Sequence, residues 1–112
     1  MVRKLVLIST SAGFEIPAHG ARDWRQEYRR EYPNAAHWIT DPLPAIWDPV
    51  AGIQAPTLLL WGDADPVSPP SVGAQLARLV PNASLHVLPG GTHSLVHDMP
   101  DTVAALITHH LS

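Results

Sequence analysis

The side chains of this sequence whose types and spacing could support catalysis are two aspartates and a histidine. Asp63 and Asp65 follow an apolar run that ends at Gly62, and His93 follows the next apolar run. If both runs are parallel strands, their carboxyl ends share one edge of a sheet, where open α/β sheets bind ligands. A carboxylate that contacts an imidazole there sets the tautomer and the basicity of the ring. The spacing therefore predicts an acid–base pair made by His93 and one of the two aspartates.

Three short apolar runs predict the strands that position this pair, at residues 5–8, 57–61 and 84–88. None alternates cleanly between apolar and polar residues, which is typical of parallel strands buried on both faces. Apolar residues at helical spacing over 71–80 and again over 103–111 predict a helix after the second strand and another after the third. Strands that alternate with helices through short connections indicate the α/β fold class, with right-handed parallel crossovers.

The segment 14–55 interrupts this alternation. It holds three of the four tryptophans and both tyrosines, so it is aromatic rather than linker-like. One helix is predicted over 22–32, and the prolines between 33 and 49 exclude long regular structure. We interpret the segment as an excursion from the sheet that packs its aromatic side chains over another part of the protein.

Composition excludes several classes of function. Ten acidic and seven basic residues give a net charge of −3, so no basic field is present for nucleic acid or an anionic membrane. The absence of cysteine excludes a disulfide scaffold, a thiolate zinc site and a cysteine nucleophile. No stretch approaches the ~20 apolar residues that span a bilayer, and the run 5–8 is too short for a signal peptide. We therefore expect a cytoplasmic protein with no nucleic-acid or membrane partner.

From residue 55 onward the sequence resembles the carboxyl-terminal half of α/β-hydrolase-fold enzymes. In that family a strand reading Pro-Thr-Leu-Leu-Leu-Trp-Gly continues as Gly-x-x-Asp-x-x-x-Pro, and this pattern is matched by Gly62, Asp65 and Pro69. The family's last strand ends in Gly-His or a close variant before an acidic-Pro helix, which is matched by Gly91-Thr92-His93 and Asp98-Met99-Pro100. The resemblance implies that Asp65 is the acid and His93 the base of a catalytic triad. We interpret the competing carboxylate, Asp63, as a structural residue of the turn.

The resemblance extends over nearly the whole chain. Residues 2–10 look like the family's sixth strand, and 14–55 lies where the family inserts a cap over its active site. It implies a single partial α/β-hydrolase domain over 1–112: a strand and turn at 1–13, a cap-like segment at 14–55, and acid and base on the strands and helices of 56–112.

The family's nucleophile motif, G-x-S-x-G, does not occur in these 112 residues. The resemblance therefore implies the carboxyl-terminal part of a serine hydrolase that acts on an ester, lactone or amide bond of a small molecule without a cofactor. It also implies that the nucleophile and the oxyanion hole lie outside the chain, which is then inactive alone. The first strand would expose an open sheet edge, through which we expect self-association. The alternative is a non-catalytic chain, either a truncated or decayed fragment or a protein-binding module.

Two further patterns admit other chemistry. Ser11 follows the first strand and has small residues on both sides, as a nucleophile elbow requires, so a small esterase using Ser11 is a less favoured alternative; Pro17 opposes the helix that should follow. His93 and His97 have the spacing of two metal ligands on a helix. The glycines before His93 place it in a loop, and no third ligand is evident, so we expect no metal site. We expect His109 and His110 to be exposed.

Overall fold

A computed structural model of the chain describes residues 1–11, 23–41, 44 and 46–112. Its elements, in chain order, are β1 (Leu5–Ile8), α1 (Arg25–Glu31), a 3₁₀ helix (His37–Thr40), α2 (Trp47–Ala51), β2 (Thr57–Gly62), α3 (Pro70–Leu79), β3 (Ala83–Leu88), α4 (Leu95–Asp98) and α5 (Pro100–Leu111). The predicted strands and the helix after the second strand are found within one residue of their expected bounds. The helix expected over 22–32 is found as α1, and residue 22 lies outside the described residues.

The three strands form one parallel sheet in the order β1-β2-β3, as the α/β pattern predicts. In the centre, Thr57 of β2 lies opposite Leu5 on one side and Ala83 on the other. Every residue of β2 is buried, which explains the uninterrupted apolar run over residues 58–61. The one polar side chain of the strand, Thr57, donates its hydroxyl proton to the Ala55 carbonyl oxygen at 2.9 Å. Because the strands are parallel, their carboxyl ends meet at one edge, and the loops after β2 and β3 are neighbours there.

Both faces of β2 are covered. Leu59 and Trp61 pack on one face against α2 and α3, in a cluster with Val50, Val72, Leu76 and Val80. Leu58 and Leu60 pack on the opposite face against α4 and α5, in a cluster with Leu88, Leu95 and Val103. Each fully buried leucine contributes about 1.5–3 kcal/mol to folding. The strand that precedes the Asp65 loop is therefore the best anchored element of the sheet.

The end of α5 is tied to the start of β1. The Lys4 ammonium donates to the carbonyl oxygens of His110, at 2.6 Å, and Ser112, at 2.7 Å, where the last carbonyls of a helix lack partners within it. The His110 ring lies 3.1 Å from the Leu5 carbonyl oxygen through Nε2. A carbonyl only accepts hydrogen bonds, so Nε2 carries the proton. The expectation that both terminal histidines are exposed is therefore correct for His109 but wrong for His110, which is half-buried by this contact.

Within the described parts of the chain, no helix is long and apolar enough to cross a membrane.

Candidate active site

The loop after β2 holds the Asp65 side chain in place with backbone hydrogen bonds. The amides of Val67 and Ser68 both donate to Asp65 Oδ1, at 2.8 and 2.9 Å. Aspartate favours such turns because its side chain can accept from the backbone two or three residues further on. The carboxylate is completely buried. With Oδ1 occupied by these two amides, Oδ2 is the oxygen that faces another side chain.

That side chain is His93, which lies in the turn between β3 and α4. Its Nδ1 is 2.9 Å from Asp65 Oδ2. Because the carboxylate accepts, Nδ1 carries the proton in the neutral ring and Nε2 is left unprotonated. The His93 side chain is 46% exposed whereas that of Asp65 is buried. The pair thus has one end fixed inside the protein and a basic nitrogen at the surface.

Two glycines allow the loops after β2 and β3 to approach closely enough for this contact. Gly62 ends β2, and its Cα faces the backbone of Gly91; a Cβ on Gly91 would lie 2.9 Å from that Cα. A Cβ on Gly62 would overlap the Gly91 carbonyl group. The Ala64 amide also donates to the Gly91 carbonyl oxygen at 2.9 Å. The close contact between Gly62 and Gly91, together with this hydrogen bond, sets the distance between the loops that carry Asp65 and His93.

The second aspartate of the loop has a different partner. Asp63 Oδ1 accepts from the Gly90 amide at 2.7 Å, and the Asp63 amide donates to the Leu88 carbonyl oxygen at 3.2 Å. Gly90 adopts a φ of +76°, a conformation in which glycine is favoured. The structure therefore brings Asp65, and not Asp63, to His93, while Asp63 ties the turn after β3 to the loop after β2.

The model of the alpha/beta hydrolase family matches residues 4–106 of this chain. The chain belongs to that family. Over 75 residues it is 35% identical to a Synechocystis sp. protein described as a non-heme chloroperoxidase, a match that covers 66% of the chain and 26% of that protein. Over 45 residues it is 44% identical to 2-hydroxy-6-oxononadienedioate/2-hydroxy-6-oxononatrienedioate hydrolase 2 of Pseudomonas putida, covering 40% of the chain and 16% of that enzyme.

Solved structures share the fold at low sequence identity. A thermophilic esterase from Thermogutta terrifontis superposes with a TM-score of 0.73 at 22% identity, over 97% of this chain and 55% of the esterase. A Mycobacterium tuberculosis protein described as a non-heme bromoperoxidase superposes with a TM-score of 0.72 at 17% identity, over 98% of this chain and 57% of that protein. The chain thus spans about half the length of these structures, and about a quarter or less of the two curated relatives. The fold is part of an α/β-hydrolase fold, as the resemblance implies.

Within this hydrolase fold, Ser68 is a site residue that the sequence did not indicate. Its amide donates to Asp65 Oδ1. Its buried hydroxyl donates to the Thr10 carbonyl oxygen at 3.1 Å and accepts from the Trp61 indole at 3.3 Å. It joins the end of β1 to the Asp65 loop and to the core below. The available signal was the serine three positions after Asp65, where an aspartate-led turn donates a second amide.

Ser9 and Ser11 lie at the carboxyl end of β1. Ser9 has a φ of +51°, rare for a residue with a side chain, and its buried Oγ has no hydrogen-bond partner in the described structure. Ser11 is half-buried, and the residues that would have to form its elbow helix, 12–22, lie outside the described residues. The Ser11 alternative therefore stays a prediction.

His97 lies in α4 while His93 lies in the preceding turn, so the two do not share a helix face. In the described ranges, no group of three or more histidine, aspartate or glutamate side chains is arranged to hold a metal ion.

The described part of the cap-like segment is held together by its own contacts. The Nε groups of Arg25 and Arg29 in α1 donate to Thr40 of the 3₁₀ helix, at 3.0 Å to its carbonyl oxygen and 2.8 Å to its hydroxyl. The rings of Tyr28 and Tyr32 are 4.9 Å apart. The pKa of Tyr32 is raised because its hydroxyl is hydrogen-bonded to Glu31, whose negative charge also disfavours the phenolate.

The glycine contact gives a direct prediction for stability. We expect Gly62→Ala to lower the free energy of unfolding by about 1–3 kcal/mol or more, because its Cβ meets backbone atoms that cannot move aside cheaply. Urea denaturation of the chain measures the change. Gly52→Ala is the matched control, since its Cβ would lie an ordinary 3.4 Å from the Pro49 carbonyl oxygen. Equal stabilities of the two variants would show that the Gly62–Gly91 contact does not set the loop spacing.

Proposed function

We propose that this chain is the carboxyl-terminal part of a serine hydrolase and supplies the base and the acid of its catalytic triad. The observation that carries the proposal is the contact between His93 Nδ1 and Asp65 Oδ2, with the carboxylate buried and the ring half-exposed. The roles are His93 as base and Asp65 as the residue that orients it. Membership of the alpha/beta hydrolase family and the named esterase and hydrolase among the related proteins support hydrolysis as the reaction.

In the proposed reaction, His93 Nε2 takes the proton of a serine hydroxyl as that oxygen attacks the carbonyl carbon of an ester, lactone or amide. The same proton passes from Nε2 to the leaving group when the tetrahedral intermediate collapses to an acyl-enzyme. Water then attacks the acyl carbon with His93 again as base, which releases the acid product and restores the serine. Asp65 keeps Nδ1 protonated throughout and stabilises the imidazolium. No step calls for a cofactor.

The serine of this scheme belongs to an amino-terminal half. The 112 residues contain no G-x-S-x-G motif, and the chain spans about half the length of the solved structures that share its fold. In the family fold that motif places the nucleophile on a strained strand-to-helix turn, beside amides that form the oxyanion hole. The substrate small molecule would be selected by that half and by the cap-like segment.

Fusion tests the proposal. The chain is joined behind an amino-terminal half that carries a G-x-S-x-G elbow, taken from in-frame DNA upstream of codon 1 or from the Thermogutta terrifontis esterase. We call this fusion the assembled enzyme. We expect it to hydrolyse p-nitrophenyl acetate and to react with a fluorophosphonate at the elbow serine. The amino-terminal half alone is the control, and labelling that is equally fast without the chain would contradict the assigned roles of His93 and Asp65.

The open side of β1 supports a second proposal, about the chain in isolation. The Leu5 amide donates to the carbonyl oxygen of Pro56, directly before β2, and the Ser9 amide donates to that of Leu60 in β2. The alternating backbone groups of Val6 and Ile8 therefore point away from β2. In the described structure no strand pairs with that side. An apolar strand with unpaired backbone groups is a template for pairing with a second copy. We therefore propose that the isolated chain self-associates through β1.

Sedimentation velocity checks this expectation. We expect oligomers that dissociate on dilution, and a shift toward monomer in Val6→Lys, because a charge on an edge strand opposes strand pairing. Val87→Lys is the control for an added charge on β3, the opposite edge strand of the described sheet, where Val87 is 40% exposed. Val6 is half-buried against the cluster on the α5 face, so far-ultraviolet circular dichroism of Val6→Lys checks that the variant is folded. A wild-type chain that is monomeric at all concentrations and melts sharply would contradict the proposal.

A further inference from the structure

We infer that Thr92 and Asp98 are positioning residues that hold His93 in the orientation in which Nδ1 reaches Asp65. The inference rests on the proposed function only in taking His93 as the base. Thr92 stands between Gly91 and His93. Asp98 is the acidic residue of the following acidic-Pro sequence. In the structure the side chains of Thr92 and Asp98 are hydrogen-bonded to each other, and His93 lies between them in the sequence.

The Thr92 hydroxyl makes two hydrogen bonds that bracket His93. Oγ1 lies 2.8 Å from Asp98 Oδ2, and it accepts from the Ser94 amide at 3.2 Å. Because the carboxylate only accepts, the hydroxyl proton points to Asp98, which leaves the oxygen lone pairs for the amide. The residues immediately before and after His93 are thereby fixed to each other through one oxygen atom.

Helix α4 closes the same loop from the other side. The Leu95 amide donates to the Thr92 carbonyl oxygen at 3.2 Å, and the Asp98 amide donates to the Ser94 carbonyl oxygen at 3.0 Å. Leu95 is completely buried in the cluster on the α5 face of the sheet. One turn of helix is therefore anchored in the core by Leu95, and the last residue of that turn returns to Thr92. These hydrogen bonds close residues 92–98 into a loop that contains His93, and we call them the ring of contacts.

The ring of contacts matters because the imidazole is weakly restrained by packing. Its side chain is 46% exposed, so the placement of the His93 backbone decides whether Nδ1 lies within hydrogen-bond distance of Asp65. The Gly62–Gly91 contact sets the distance between the two loops, and it acts on the residues before Thr92. The Thr92–Asp98 contact acts on the residues after it and sets the direction in which the side chain leaves the turn. Loss of the Thr92 hydroxyl should loosen this ring of contacts without removing a group that touches substrate.

Nuclear magnetic resonance of the histidine rings tests the inference on the full 112-residue chain. Two-bond ¹H–¹⁵N spectra of chain labelled with ¹⁵N-histidine report the ratio of Nδ1–H to Nε2–H tautomers. His93→Ala identifies the His93 signals, and Asp65→Ala gives the ratio for a ring without its carboxylate. The same nitrogens are read by magic-angle spinning if the chain sediments.

We expect wild type to hold the Nδ1–H tautomer, and Thr92→Val, which keeps the shape but not the hydroxyl, to lower the ratio about two- to tenfold. Asp98→Ala should do the same. Thr92→Ser should restore the wild-type ratio, because the hydroxyl is retained. Asp101→Ala removes the same charge from an exposed position in the first turn of α5 and should leave the ratio unchanged. A wild-type ratio in Thr92→Val and Asp98→Ala, or a lowered ratio in Thr92→Ser, would overturn the inference.

The tautomer experiment and the fusion experiment test different claims, so either one can fail while the other succeeds. Ring tautomers are measured without catalysis, so a hydroxyl-dependent ratio in a chain that never yields an active fusion would refute the proposed function alone. In an active assembled enzyme, Thr92→Val should lower kcat while KM stays unchanged, and Thr92→Ser should recover kcat. An active enzyme whose kcat is the same in wild type, Thr92→Val and Thr92→Ser would refute the positioning role alone.

Discussion

Replacing His93 with alanine in the assembled enzyme is expected to lower kcat by about 10⁶-fold, nearly the whole contribution of a serine triad. The loss is this large because the serine and its base act as one unit, and an alkoxide does not form without an acceptor for its proton. The kinetics of p-nitrophenyl ester hydrolysis give the value. Removing the elbow serine together with His93 should cost little more than either change alone. Additive losses would show that His93 does not act on the serine.

The Asp65→Asn variant should lower kcat by about 10⁴-fold, the loss seen in a serine protease whose supporting aspartate was changed to asparagine. The local geometry gives the reason. The amides of Val67 and Ser68 both require an acceptor at the Oδ1 position, so the asparagine oxygen must lie there. Its NH₂ group then faces His93 Nδ1. Because an NH₂ group only donates, this hydrogen bond forms only if Nδ1 is unprotonated. The ring is forced into the Nε2–H tautomer, which leaves no lone pair for the serine proton.

The matched control for this variant is Asp63→Asn. Asp63 accepts a single amide, that of Gly90, and an amide oxygen can accept it equally well. We expect kcat to stay within about tenfold of wild type, the range that one altered hydrogen bond permits. If Asp63→Asn is the crippling change and Asp65→Asn the tolerated one, the acid is Asp63 and has been assigned two residues too late in the loop. If neither matters in an active enzyme, the aspartate–histidine pairing is not catalytic.

The sheet was predictable from the sequence because its determinants are local. The run 57–61 lies on a strand buried on both faces, so residues 58–61 are all apolar, and this pattern could be recognised without knowing the fold. The choice between Asp63 and Asp65 was not local. Both follow the same strand, and residue types alone left either one open; only the resemblance implied Asp65. What separates them is which backbone amides each carboxylate accepts, and that depends on how the loops after β2 and β3 meet at Gly62 and Gly91.

The contacts of Ser68, Thr92 and Asp98 were hidden for the same reason. A serine or threonine in a loop has many possible acceptors, and composition does not reveal which one the folded chain offers. His110 was misjudged similarly, because its partner, the Leu5 carbonyl oxygen, lies at the opposite end of the sequence. Side chains whose partners are set by tertiary structure are the ones a sequence pattern cannot place.

Per exposed histidine, the 112-residue chain alone is expected to hydrolyse activated esters no faster than a peptide with one exposed histidine. The Asp65–His93 pair supplies a base but no nucleophile and no oxyanion hole, and each oxyanion donor is worth about 10²–10³ in rate. The rate of p-nitrophenyl acetate hydrolysis by the chain, compared with the peptide and with the assembled enzyme, measures the difference.

Labelling by a fluorophosphonate decides whether a serine of the chain itself is activated. We expect no reaction above that of the heat-denatured chain, and no change in Ser11→Ala or Ser9→Ala. Both serines need the comparison, since Ser11 has the small neighbours of an elbow and Ser9 has the positive φ. The unpartnered Ser9 hydroxyl is buried, which keeps it from an acyl donor in solution. Stoichiometric labelling that is lost in Ser11→Ala would overturn the assignment of the nucleophile to an amino-terminal half and make the chain a small esterase. The same loss confined to Ser9→Ala would place the nucleophile directly after β1, the strand that neighbours β2 and its Asp65 loop.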